Sequence, residues 1–211
     1  MSDKYKYPRT PHLPYSPGAT NDDKVLKSLA HFEGMVIAAT EKMDGEFSTI
    51  AAEYTHARSL DSKDHPSRHW LKGLWATIRH DIPTGYRICG ENLYAKHSIE
   101  YSSLDSYFYV FSVWDENNFC LSWEDTKLIC GELGLITVPE LYIGKFDSNI
   151  VENLQDKLSP ITQEGFVIRN VGSFHYDDFD KNLAKWVRKN HVQTDSHWMQ
   201  SKIVPNKLKE K

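Results

Sequence analysis

The feature that most constrains how this chain can fold is a set of short apolar runs rich in β-branched and aromatic residues. They are "GMVIAAT" (34–40), "YRICGENLYA" (86–95), "YFYVFSVWD" (107–115) and "EGFVIRN" (164–170). Runs of this length and composition suit buried strands, not full helices. "LAKWVRKN" (183–190) reads as another strand, and "FSTIAAEYTHARS" (47–59) as a partner for the first, in a hairpin about Gly45. Helical spacing falls between them at irregular intervals. In "NDDKVLKSLAHF" (21–32) Asn21 is a plausible cap, and Val25, Leu26, Leu29 and Phe32 share a face. Pro66 opens a second helix carrying Trp70, Leu71, Leu74, Trp75 and Ile78, which ends before Pro83. Ser122 and Asp125 begin a third that runs to Leu133 with Gly134 as its C-terminal cap, and "SNIVENLQDKL" (148–158) is a fourth. Strands in runs with irregular helices predict an α+β fold with mostly antiparallel sheets flanked by helices.

No linker divides the 211 residues, so residues 21–190 read as one domain. Residues 1–20 read as an extended arm rich in proline and tyrosine, and 191–211 as a basic tail. No stretch of eighteen apolar residues occurs and the N-terminus lacks an apolar leader, so a cytoplasmic protein without a membrane span is expected. Cys89, Cys120 and Cys130 are odd in number and sit in apolar runs, which predicts reduced, buried thiols. Net charge is −4, but residues 181–211 hold eight Lys/Arg against Asp195 and Glu210. That end carries +6, leaving −10 on the first 180 residues. It reads either as a surface that tracks a polyanion or as a solvated lysine-rich tail.

Chemistry first shows in "EKMDGE" (41–46). Lys-x-Asp-Gly alone reads as a hairpin turn. It also suits an attacking amine, since Gly45 allows a tight turn that delivers Lys42 into a cleft, with Asp44 beside it. Three later segments join it. "CGENLYA" (89–95) carries Glu91, "EGFVIR" (164–169) carries Glu164 and Arg169, and "AKWVRK" (184–189) carries Lys185, Arg188 and Lys189.

In order and spacing these four segments resemble the covalent nucleotidyltransferase superfamily of ATP-dependent ligases and mRNA-capping enzymes. Within it they are most similar to the ATP-dependent RNA ligase family, over about Gly34 to Lys189. The resemblance implies a nucleotidyltransferase (adenylation) domain that uses ATP with Mg²⁺, or Mn²⁺, to join RNA 5′-phosphate and 3′-hydroxyl ends. Lys42 would attack the ATP α-phosphate and become lysyl-AMP, with Asp44 and Lys185 completing the catalytic set. Glu41 would read the adenine edge and Phe111 stack on the base. Glu91 would hold the ribose, and Arg58 the ribose or the 5′-phosphate end. Glu164 and Asp44 would face the metal, Lys185 the α-phosphate. Arg58, Arg68, Arg188 and Lys189 would contact RNA. Lys185 beside Lys42 would also lower the pKa of the nucleophile.

Three positions depart from the family's pattern. Its last motif usually reads Lys-x-Lys, whereas Val187 stands two residues after Lys185 here and Arg188 and Lys189 are displaced. Ser112 follows Phe111 where aspartate is common, and Arg169 stands where lysine is frequent. Only 22 residues follow Lys189, which leads us to expect no OB-fold domain and leaves room for a protein partner in place of a C-terminal domain. The oligomeric state is not legible. Two other readings stand beside RNA ligase: a DNA ligase or capping-type enzyme, and a non-catalytic module that binds nucleotides or RNA ends. His191 and His197 read as surface or end-joining residues.

Overall fold

The computed structural model describes residues 4–189 and 203–210. Two sheets face each other. The first has four strands in the order β11 (Leu183–Val187), β9 (Gly165–Asn170), β1 (Val36–Lys42) and β8 (Glu140–Lys145). The second runs β10 (Phe174–His175), β6 (Phe119–Cys120), β5 (Phe108–Trp114), β4 (Arg87–Asn92), β2 (Glu46–Ile50) and β3 (Thr55–Ala57), and the two-residue β7 (Ile136–Thr137) pairs with β5. Every strand pair is antiparallel except β5 with β7. The expected α+β class with antiparallel sheets is what the chain adopts.

The helices cover the outer faces. α3 (Ser148–Lys157) starts where Asp147 accepts from the Asn149 amide at 2.9 Å. It turns Ile150, Val151 and Leu154 onto Ile37, Ala39 and Ile168 of the first sheet. Behind the second sheet lie α1 (His69–Ile78), entered through a 3-10 turn at Pro66–Arg68, and α2 (Trp123–Glu132). α2 is capped by Ser122 and closed by Gly134 at φ +66. Leu71 and Cys130 from these helices pack on Ile50, Ile88 and Val110. α4 (Phe179–Asn182) is a single turn that leads into β11. All three cysteines are buried free thiols, and burial raises the pKa of each. Among the described residues no helix is long and apolar enough to cross a membrane.

Two expectations need correction. Residues 21–32 are not a helix beyond a 3-10 turn at Ala30–Phe32. Asp23 accepts from the Thr20 amide at 3.0 Å, and the chain then runs extended beside His12, whose amide donates to Lys24 O at 2.7 Å and whose carbonyl accepts from Leu26 N at 2.9 Å. Tertiary pairing thus satisfies backbone groups that a helix would have paired internally. Nor do β1 and β2 form a hairpin. Both edges of β1 are taken, by β8 and β9, so the chain crosses to the second sheet, where β2 pairs with β3 and β4.

Both ends of the described chain lie on the body. Leu13 N donates to Lys185 O at 2.7 Å and Lys185 N to Pro11 O at 2.9 Å, covering the edge of β11. Tyr7, His12 and Leu13 are buried. Residues 203–210 run along the 94–104 loop, with Lys96 N donating to Val204 O at 2.8 Å. His191 and His197 lie outside the described residues.

Candidate active site

Period-two alternation puts Thr40 and Lys42 of β1, Val167 and Arg169 of β9, and Leu183 and Lys185 of β11 on the face turned to the second sheet. Lys42 is opposite Gly165, and Lys185 opposite Val167. Gly165 permits this closeness, since a Cβ there would sit 2.0 Å from Trp186 O. The facing wall supplies Phe47 of β2, Glu91 of β4 and Phe111 of β5. A register shift between Cys89 and Gly90 leaves Phe111 as the extra residue of β5, and that bulge turns its ring inward. Between the walls lies a cavity of about 1180 Å³.

Glu41, Lys42, Arg58, Arg68, Glu91, Phe111 and Lys185 all line this cavity. Asp44 and Glu164 sit just behind Lys42, while Arg188 and Lys189 are not part of the wall. The Lys42 ammonium is 2.6 Å from Glu164 Oε2, and the glutamate is 5 % exposed. Glu91 Oε1 accepts from Gly45 N at 3.2 Å. Asp44 Oδ2 accepts from Ile99 N at 2.7 Å, and Asp44 N donates to the Tyr101 hydroxyl at 2.9 Å. A Cβ on Gly45 would come within 2.6 Å of Asn92 O, so close backbone approach demands this glycine. The turn is held by both sheets and the 98–101 loop.

Three carboxylates crowd around one lysine. Burial tends to lower the Lys42 pKa, but Glu164, then Glu91 and Asp44, outweigh it and hold the amine above the usual lysine range. Lys185 was expected to lower it, and with these carboxylates present the net direction is upward. Lys185 is the one lowered, first by burial and then by the positive charge of Lys42. Burial, with Glu164 and Asp44 nearby, pushes the Glu91 carboxyl up to about 8 against the opposing pull of Lys42. Burial and Glu164 also raise Asp44, and burial raises Glu41.

Some basic residues are already committed. Arg68 donates through Nε to both Glu46 oxygens, at 3.0 and 2.8 Å. Arg188 Nε donates to Gln163 O at 3.0 Å. Arg169, 2 % exposed, donates to the carbonyls of Leu121, Asn170 and Phe111 at 2.8, 3.1 and 3.3 Å. Arg58 is exposed on the wall just after β3. Ser112 accepts from Trp114 Nε1 at 3.1 Å and is buried, a packing role at this departure from the family pattern.

Sequence reading missed four contributors. Gln163 donates to Glu41 Oε2 at 3.0 Å, Glu46 holds Arg68, and Phe47 and Tyr7 pack about Phe111 with centroids 5.9 and 5.4 Å away. Gln163 adjoins one motif and Glu46 ends another, so both could have been flagged by position. Tyr7 lies in the N-terminal arm, with no local signal at all.

The RNA ligase family model matches residues 35–187, most of the chain, and takes in three motif segments whole and the fourth as far as Val187. The chain belongs to the RNA ligase family. Solved RNA ligases share its fold. An archaeal ATP-dependent RNA ligase superposes with a TM-score of 0.56 at 19% identity, over 77% of this chain and 45% of its own. A mutant Naegleria gruberi RNA ligase with ATP and Mn gives 0.57 at 14% identity, over 83% and 57%. Another mutant of that enzyme, with AMP and Mn, gives 0.56 at 15%, over 75% and 51%. The chain thus spans about half the length of these RNA ligases. No curated protein matches it.

Proposed function

We propose that this chain is an ATP-dependent RNA ligase that works through lysyl-AMP and RNA-adenylate. The observation that carries the reading is Lys42 at the junction of the two sheets, facing a nucleotide-sized cavity, with Glu91, Glu164, Asp44 and Lys185 gathered about it. The Lys42 amine attacks the α-phosphorus of ATP, the bond to the bridging oxygen breaks, and pyrophosphate leaves. The phosphoramidate then yields AMP to an RNA 5′-phosphate, and a 3′-hydroxyl displaces AMP to form the phosphodiester.

Phosphoryl transfer of this kind depends on positioning and charge neutralisation. Lys185 places an amine for the α-phosphate on the wall beside Lys42, and the phosphate charge would favour its protonated form. Phe111 offers a ring face for adenine. Glu41, held by Gln163, presents a carboxyl to the base edge, and Glu91 to the ribose. Arg58, at the exposed rim, suits an incoming 5′-phosphate.

Among the described residues no three His, Cys, Asp or Glu side chains form a ready metal cage. Mg²⁺ requires none, since it keeps several waters and binds through one or two carboxylates plus phosphates. Glu164 and Asp44, oxygen donors close to Lys42, fit such an ion as its protein ligands. When bound, it would offset the charge that keeps Lys42 protonated and neutralise charge on the phosphates.

The test is incubation with Mg²⁺ and α-labelled ATP, followed by denaturation. Label is expected to stay on the wild-type protein and to be absent from Lys42→Ala. Labelling that persists in Lys42→Ala overturns the mechanism, and labelling by GTP instead of ATP moves the enzyme to the capping type. Nicked RNA, nicked DNA and single-stranded ends offered side by side read the acceptor. RNA joining is expected to fall steeply with added salt.

A further inference from the structure

Asn206 stands far from the motifs in sequence and is 2 % exposed. Its side chain bridges two parts of the same loop. Nδ2 donates to Leu93 O at 2.8 Å, and Oδ1 accepts from Tyr101 N at 2.9 Å. Its own amide donates to Tyr94 O at 2.9 Å and its carbonyl accepts from the Tyr107 hydroxyl at 2.9 Å. Lys207 N then donates to Tyr101 O at 2.9 Å. A buried amide that bonds through both its nitrogen and its oxygen locks the elements it joins.

Both partners of the Asn206 side chain adjoin the turn after the nucleophile. The Tyr101 hydroxyl accepts from Asp44 N at 2.9 Å. A Leu93 methyl lies against Gly45, 2.7 Å from where a Cβ would be. We propose that Asn206 is a positioning residue for the Lys42–Gly45 turn, so that the docked 203–210 segment sets the aim of the nucleophile through Tyr101 and Leu93.

The inference rests on the adenylation reading, and two readouts separate their failures. Amide exchange over residues 41–46, followed by mass spectrometry, needs no catalysis. In Asn206→Ala and in Tyr101→Phe this segment is expected to exchange faster, while β11 stays protected as in wild type. Unchanged exchange at 41–46 overturns the proposal, whether or not the protein takes up label.

Where wild type is adenylated, Asn206→Ala is expected to slow the step at saturating ATP by roughly ten-fold or more through misplacement of the amine. KM for ATP should stay within about two-fold, since the nucleotide-facing wall is untouched. The Asn206→Ala/Tyr101→Phe double variant should lose less than the sum of the two singles, because part of the Asn206 effect runs through Tyr101. A rate equal to wild type, or fully additive losses, overturns the proposal. Glu210→Gln, on the same segment, serves as the neutral control. Asn206→Asp keeps the acceptor for Tyr101 N and loses the donor to Leu93 O. It gives the same readouts if Asn206→Ala does not fold.

Discussion

The Lys42 ammonium and the Glu164 carboxylate form an ion pair of 2.6 Å with the glutamate side chain 7 % exposed and the lysine 25 %. Register makes this pairing: Lys42 ends β1 opposite Gly165, the residue after Glu164. A lysine held this way is stored in its protonated, unreactive form.

Removing the charge of Glu164 should therefore free the amine. In Glu164→Gln the strongest attraction on Lys42 is lost, so its pKa falls and its reaction with an amine reagent begins at lower pH. The rate of Lys42 acetylation against pH, read by peptide mass spectrometry with chelator present, checks this. A curve that superposes on wild type would show that Glu164 does not hold the proton there.

The Glu91 carboxyl, pushed up to about 8 from an ordinary value near 4.5, gives a stability effect of definite sign. Between those values the folded chain binds a proton that the unfolded chain releases, so this group costs stability increasingly as pH rises through that window. Glu91→Gln removes the cost. Its melting temperature relative to wild type is expected to rise steadily from pH 5 to pH 8, and a gap that stays constant or narrows would contradict the assignment.

Arg68 and Glu46 are 12 % and 11 % exposed at their side chains. Arg68→Ala strands the glutamate in a poorly solvated wall and should cost about 3 kcal/mol, at the low end for broken buried pairs. Replacing both, as Arg68→Met with Glu46→Leu, should cost clearly less, because neither charge is left alone. Urea unfolding of the three proteins measures the difference.

Gly45→Ala places a methyl against the Asn92 carbonyl, a backbone atom that cannot swing aside. The expected destabilisation is about 1–3 kcal/mol, typical of overpacking. A larger loss is expected in self-adenylation, because the residues displaced are those that follow Lys42. Melting curves and label incorporation measured on the same preparation separate the two.

The α+β class, the strands at 36–42, 87–92, 108–114, 165–170 and 183–187, and three of four helices were legible because apolar period and caps are local signals. What sequence reading could not see came from pairing at a distance. The 21–32 segment has a helical stripe, yet His12 claims its backbone. Gly45 follows a strand in a turn-like setting, yet β1 has no free edge for β2. In the site, Glu41, Lys42, Glu91, Phe111 and Lys185 were found at one cavity as the motif order implied. The commitment of Arg68 to Glu46, and the raised rather than lowered pKa of Lys42, depend on which charges burial brings together. Local pattern carries no trace of that.

The crossing from β1 to β2 has a mechanical meaning. Met43, Asp44 and Gly45 are the tether between two opposed walls, and the Lys42 amine is anchored at one end of it. Wall spacing and the direction of that amine are therefore linked through a few torsions. A ligand that drew the walls together would re-aim Lys42 in the same motion, so that clamping and alignment would come from one piece of backbone.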